Sequence, residues 1–407
     1  MQPKPTPARS IFAAYTAEVL RYHLPSPAGK PAVPPEPNPD RAKENLLRAL
    51  RIWKHARKPH LVLLGLGSGR LACDLASRLP AGVDLTACSL QPEAVRSLAA
   101  TGCLDDLTAS PRAAVLADAS PWALFCLWVQ AGLRPSDTLV LPNPESLDQD
   151  AYRPLLSAFA GAKPLAAEPA GPAPGLTLAA ILSPTDQGLP QFFAQVPADL
   201  PGASVLWDAE QAPADPPPCA APVRHMARLL RKDFAAQRNA LLATLAPGWT
   251  LVLDADERLA PETWALLPGL AARAEAAGVA ALALPRLTLY PDPDHVLAGF
   301  GLWPDLQVRL FRNVPGLRYE RPVHERLVGL AGPTALCLGA PILHLNRLLK
   351  TPEDTRRKLA AFDEASGHAL RHTLSGDYPR LPTAAFPLAR TPQQALSLCL
   401  IPGGGGV

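Results

Sequence analysis

The clearest chemistry sits mid-chain, where Asp254-Ala255-Asp256-Glu257 follows the apolar run 249–253. A run this rich in apolar residues predicts a strand buried in a parallel sheet. Ligands of open α/β sheets bind beyond the carboxyl ends of such strands. In extended backbone, residues i and i+2 point the same way, so Asp254 and Asp256 are expected to present two carboxylates to one site. Hard oxygen ligands suit Mg²⁺ or Mn²⁺, which would in turn bind phosphate oxygens. The same tetrapeptide also reads as a charged turn in which Asp256 or Glu257 caps the next helix.

The elements that must position these carboxylates are legible around them. Asp233 is expected to cap a helix over 234–245, with Phe234, Arg238, Leu241 and Leu245 on one face and Pro247-Gly248 ending it. A second chemical pattern lies further upstream. The apolar run 61–64 leads into Gly65-Leu66-Gly67-Ser68-Gly69 and then a helical segment. Such glycines permit a tight turn and close approach of a ligand to a helix N-terminus. A second strand is expected at 84–88 and a helix at 92–99. Before them, Asp40 is the expected cap of a helix with Leu46, Leu50 and Trp53 on one face. Arg41, Lys43, Arg48, Arg51 and Lys54 lie opposite. That helix either packs on the first strand or touches anionic lipid.

At 407 residues the chain has room for two or three domains. Its 48% hydrophobic and 18% charged residues are enough for a sizeable core. A formal net charge of +3 excludes a nucleic-acid binder driven by bulk charge. Seven cysteines, none in a C-x-x-C pair, argue against a disulfide framework or a structural zinc site. Neither a signal peptide nor a membrane-spanning run is expected, since the longest apolar stretch, 121–133, falls short of ~18 residues. The expected location is the cytoplasm, with peripheral contact at the inner membrane face as the alternative carried by the basic helix. The 49 prolines and 27 glycines exceed ordinary usage and should mark seams. Proline clusters at 25–39 and 162–175 bound the following layout, and a third at 212–222 is expected to be a surface loop within the second domain. An N-terminal helix and Pro-rich arm occupy 1–40, one α/β domain 41–160, a linker 161–175, a second α/β domain 176–370, and a Pro/Gly-rich disordered tail 371–407.

The glycine pattern resembles the first motif of the S-adenosylmethionine-dependent methyltransferase fold, over about 100 residues. The resemblance implies a Rossmann-like α/β sandwich. This chain departs from the family where an acidic residue would bind ribose, having Cys88-Ser89 at the end of the second strand. A degenerate domain is therefore expected.

The string Asp233-x-x-x-x-Arg238-Asn239, the strand ending Asp254-x-Asp256-Glu257, then Pro285-Arg286, Trp303 to Arg312, Pro322-Val323-His324-Glu325 and Ile342-Leu343-His344 resembles family-2 glycosyltransferases. The resemblance covers roughly 176–365 and implies a GT-A domain with a mostly parallel sheet. It implies transfer of a sugar from a nucleotide diphosphate sugar to an acceptor hydroxyl on a glycan, lipid-linked or protein acceptor, in surface glycan or glycoconjugate synthesis. By the same resemblance Asp254, Asp256 and His344 would hold a divalent cation, Mn²⁺ or Mg²⁺. Asp208, Arg238, Asn239, Asp254 and Arg309 would hold the nucleotide sugar. Glu325, Asp305 and His324 would serve the acceptor, with Glu325 or Asp305 as general base. The front of the domain differs from the family: Ser183-Pro-Thr-Asp186 and Asp208-Ala-Glu210 stand where nucleotide-binding motifs are usual. That departure keeps two further readings open, a scaffold or interaction protein and a methyltransferase acting through the first domain.

Overall fold

The computed structural model describes residues 8–22, 38–165, 174–322, 325–351, 353, 378–386, 388–389, 394 and 396–398. The chain is of mixed α/β class and divides into two compact units. The first comprises Met1–Ala162 with Leu297–Pro304 and Asp377–Leu381, and the second comprises Lys163–Val296, Asp305–Gly376 and Pro382–Val407.

The first unit is built on a four-stranded parallel sheet. Its order is Ala113–Ala117, Asp84–Ser89, His60–Leu64, Thr138–Pro142. The two central strands are almost wholly buried, and His60–Leu64 accordingly carries the unbroken apolar run 61–64. The helix Pro39–Ala56 buries Ala42, Leu46 and Ala49. Its cap is Asn38, whose side chain accepts from the Arg41 backbone N–H, so the expected cap at Asp40 is corrected by two positions. Pro39 explains the shift, because proline favours the first helical position and pushes the capping role onto the residue before it. The helix Ala8–Arg21 lies along the edge strand Ala113–Ala117. Thr16 Oγ1 donates to the Val115 carbonyl and accepts from the Ala117 N–H. One side chain thus satisfies two edge groups that would otherwise invite strand pairing.

The second unit carries an eleven-stranded mixed sheet. Four parallel strands form one side of it: Gly248–Val252, Leu176–Leu182, Gly202–Trp207 and Val223–Ala227. Asp305–Asn313 runs antiparallel between Gly248–Val252 and Ala281–Thr288. Beyond these lie Thr334–Cys337, Leu396–Leu398 and Lys163–Pro164. Two strands therefore come from stretches read as linker and tail, and a third, Arg380–Pro382, also lies in the expected tail. The core under the sheet includes Trp207, Trp249, Phe192, Phe193 and Leu267. The Pro-rich stretch 212–222 is the irregular crossover between two parallel strands, a place normally taken by a helix. Proline supplies no backbone donor and fixes φ, so a helix cannot form there. No helix among the described residues is long and apolar enough to cross a membrane.

Candidate active site

Local sequence sets up the first half of the site. Asp233 caps the helix Phe234–Leu242, its carboxylate accepting from the Ala236 N–H at 2.9 Å. The cap fixes the helix start, and Arg238 in the next turn is brought onto the sheet with its side chain 8% exposed. The strand Gly248–Val252 ends just before Asp254. The backbone then turns: the Glu257 N–H donates to the Asp254 carbonyl at 3.0 Å. The extended geometry assumed from sequence is therefore absent at 254–256, and Asp254 and Asp256 face different partners.

Asp254 is clamped by two guanidinium groups. Arg238 Nη2 donates to one carboxylate oxygen at 3.0 Å and Arg309 Nη2 to the other at 2.5 Å. Burial works against charge on Asp254, but Arg309, Arg238 and Arg286 outweigh it and hold the carboxyl well below the ordinary carboxylate range. Glu257 is fully buried and accepts from Arg309 at 2.7 Å, Arg286 at 3.2 Å and the Asp254 N–H at 3.0 Å. Burial raises its carboxyl from the usual value, against the pull of Arg309.

The sheet brings the remaining partners in. Arg286 and Asp305 are register partners on antiparallel strands, and their side chains meet at 2.6 Å. Gln307 donates to the other Asp305 oxygen at 2.6 Å. Glu325 accepts from Arg238 Nε at 2.5 Å. The carboxylates Asp254, Glu257, Asp305 and Glu325 and the cations Arg238, Arg286 and Arg309 thus form one continuous network. Truncating one member of such a network would strand its partner's charge.

A second cluster lies at Asp256. The two-residue strand Glu257–Arg258 pairs antiparallel with Ile342–His344, placing His344 opposite Glu257. The Leu345 N–H donates to the Asp256 carbonyl at 2.8 Å. His344 Nε2 lies 3.8 Å from Asp256 Oδ1, while Nδ1 shares a hydrogen bond with Thr288 Oγ1 at 3.0 Å. Burial, reinforced by Arg286, lowers the His344 imidazole to about 4. Lys350 Nζ sits 3.2 Å from Asp256 Oδ2.

The residues expected from sequence are therefore distributed as follows. Arg238, Asp254, Arg309, Asp305 and Glu325 share the first cluster, and Asp256 and His344 the second. Asn239 holds the Arg318–Glu320 strand, donating to the Tyr319 carbonyl at 2.8 Å and accepting from its N–H at 2.7 Å. Asp208 is turned to the chain as well, accepting from the Leu230 N–H at 2.8 Å. His324 lies outside the described residues. Sequence reasoning did not place Glu257, Arg286 or Lys350 in the site. A charged residue inside the apolar strand Ala281–Thr288 was a usable signal for Arg286, whereas nothing local marks Lys350.

A divalent cation fits this donor set poorly. Both oxygens of Asp254 are taken by arginines and one oxygen of Asp256 by Lys350. Among the described residues no group of three or more His, Cys, Asp or Glu side chains is arranged to hold a metal.

In the first unit, Gly65, Gly67 and Gly69 all take positive φ, as the glycine turn requires. The space they open is filled by the chain itself. A Cβ on Gly65 would lie 2.1 Å from Ser146 Oγ, and one on Gly67 would lie 2.7 Å from Glu145 Cβ. Glu145 accepts from Ser68 Oγ at 2.9 Å and Asn45 Nδ2 at 3.2 Å. The cleft beside Gly67 is lined by Leu66, Ser89, Gln91, Ser146 and Asp148.

No family model matches the chain. A TPR repeat-containing protein of Synechococcus elongatus is 38% identical over 93 residues, which make up 23% of this chain and 20% of that protein. The chain therefore spans about a fifth of the length of the curated relative it matches.

Proposed function

We propose that the second unit is a glycosyltransferase of GT-A type, moving a sugar from a nucleotide diphosphate sugar to an acceptor hydroxyl. The observation that carries this reading is the convergence of Arg238, Asp254, Arg286, Asp305, Arg309 and Glu325 at the end of one buried strand. These residues span 87 positions between Arg238 and Glu325, and they are those of the motifs that resemble the family. In the reaction the acceptor oxygen attacks the anomeric carbon, forming the new glycosidic bond. The bond from that carbon to the diphosphate oxygen breaks, and the nucleoside diphosphate leaves with the electron pair. Glu325 or Asp305 takes the acceptor proton, and attack opposite the leaving group inverts the anomeric centre. The basic side chains of the two clusters favour the charge that develops on the diphosphate. No step here passes through a metal ion.

A second reading, a scaffold without donor binding, is favoured by one specific feature. The carboxylates of both clusters are already bonded to cations of the same chain, and the front residues Asp208 and Asn239 hold backbone. Calorimetry of the full chain against UDP-, GDP-, CDP- and dTDP-sugars separates the two. The transferase reading expects one of them to bind and to be slowly hydrolysed, and binding of none refutes it. Methyl transfer by the first unit is the weakest reading, because the glycine turn is packed with Glu145 and Ser146. It requires S-adenosylmethionine binding that depends on Gly67 and Gly69.

A further inference from the structure

The second cluster holds a cation supplied by the chain itself, at the place where the resemblance would put a divalent metal. Lys350 Nζ is 3.2 Å from Asp256 Oδ2, and the two side chains are 24% and 13% exposed. The contact is built from both sides. The Asp256 carbonyl is tied to the Leu345 N–H at 2.8 Å, and the Lys350 N–H closes the turn Asn346–Leu349 by donating to the Asn346 carbonyl at 3.1 Å. These two backbone bonds fix the distance that the lysine stem must span. His344 and Asp256 alone would offer a metal only one imidazole and one carboxylate oxygen not facing the ammonium. A second carboxylate cannot be recruited from Asp254, since Arg238 and Arg309 occupy it. Mg²⁺ and Mn²⁺ require several oxygen ligands and would be repelled by an ammonium on the same carboxylate. A lysine is itself a competent phosphate partner, a compact charge with three donors on a flexible stem.

We infer that Lys350 replaces the divalent cation at the acidic motif, so that the site takes the diphosphate of its ligand on an ammonium group and works without metal. The diphosphate part rests on the transferase reading above, whereas the exclusion of metal does not.

Two measurements on the full-length chain test it. The first is titration with Mn²⁺ alone, followed by the electron paramagnetic resonance signal of the free ion. The wild type should leave the signal unchanged. Lys350→Ala should bind Mn²⁺ at least ~10-fold more tightly, and Lys350→Ala with Asp256→Ala should lose that binding. Equal Mn²⁺ affinity in wild type and Lys350→Ala overturns the inference. The second is calorimetry with UDP, GDP, CDP and dTDP in EDTA and in Mn²⁺. One nucleotide should bind equally in both buffers, weaken ~10-fold or more in Lys350→Ala, and recover in Lys350→Arg. Binding that appears only with Mn²⁺ overturns the inference. If none of the four binds in either buffer, the nucleotide-sugar reading falls, and the Mn²⁺ comparison still decides whether Lys350 excludes metal.

Discussion

Asp118 in the first unit should set a measurable pH dependence of stability. It follows the edge strand Ala113–Ala117 and is 0% exposed. Tyr15 Oη donates to one carboxylate oxygen at 2.5 Å and the Ser120 N–H to the other at 2.7 Å. Tyr15 in turn accepts from the Gly299 N–H at 3.1 Å, so the group joins three separate segments of the unit. Burial raises the Asp118 carboxyl to about 7, although the bonds from Tyr15, Ser120, Phe300 and Ala119 pull the other way. Because the folded value lies above the unfolded one, the folded state holds the proton more tightly. Stability is greatest below the unfolded value and is lost as pH rises toward 7. Between pH 5 and 7 the loss runs at about 1.4 kcal/mol per unit and levels off near the folded value, about 2 kcal/mol in all. Asn resembles the protonated acid and cannot ionise, so Asp118→Asn should match wild type only below the unfolded value, and its advantage should grow by about 3 kcal/mol between pH 5 and pH 8. Urea unfolding can be followed by tryptophan fluorescence, since Trp303 packs 6.0 Å from the Tyr15 ring. The wild-type minus variant difference cancels the other carboxylates. A difference that is the same at pH 5 and pH 8 would refute the reasoning.

Other expectations follow from the same physics. Glu257→Gln removes a buried charge facing Arg309 and Arg286 and should cost about 3 kcal/mol in urea unfolding, with the loss shrinking in an Arg309→Met background. His344 is neutral in the fold, so its contribution is present above the unfolded value and is lost as pH falls from about 6.5 toward about 4. His344→Gln should accordingly flatten the acid limb of the second unit's unfolding curve, and an unchanged limb would count against burial as the cause. Gly67→Ala puts a Cβ 2.7 Å from Glu145 at φ +57° and should destabilise by about 2 kcal/mol, read as a drop in melting temperature. Asp256→Ala removes the partner that orients Lys350 and should reduce any sugar transfer strongly while leaving the melting temperature nearly unchanged. Full transfer activity in that variant argues against the site.

Much of the framework was legible because it is local. Apolar runs gave the buried strands, glycines the turn after His60–Leu64, and Asp233 the start of Phe234–Leu242. The acidic residues at 254–257 were recognisable as a site at a strand end. Their geometry was not, since a turn and an extended strand can carry the same four residues. The strand pieces at Lys163–Pro164 and Leu396–Leu398 were missed for a related reason. Segments of two or three residues have no periodicity to read, and they exist only because a neighbouring edge accepts their hydrogen bonds.

The sequence by itself determined that a carboxylate cluster follows a buried strand, and that arginines spaced along the chain could meet it. Only the tertiary structure decided which charges meet. Arg309 reaches Asp254 across 55 residues, Arg286 meets Asp305 through antiparallel register, and His344 and Lys350 reach Asp256 through a short bridge from a distant strand. Pairing of this kind depends on which strands become neighbours, a property of the folded sheet that residue spacing does not encode. The same holds for the glycine turn, whose sequence promised space for a ligand. In the folded unit that space is taken by Glu145 and Ser146, from a loop nearly eighty residues further along the chain.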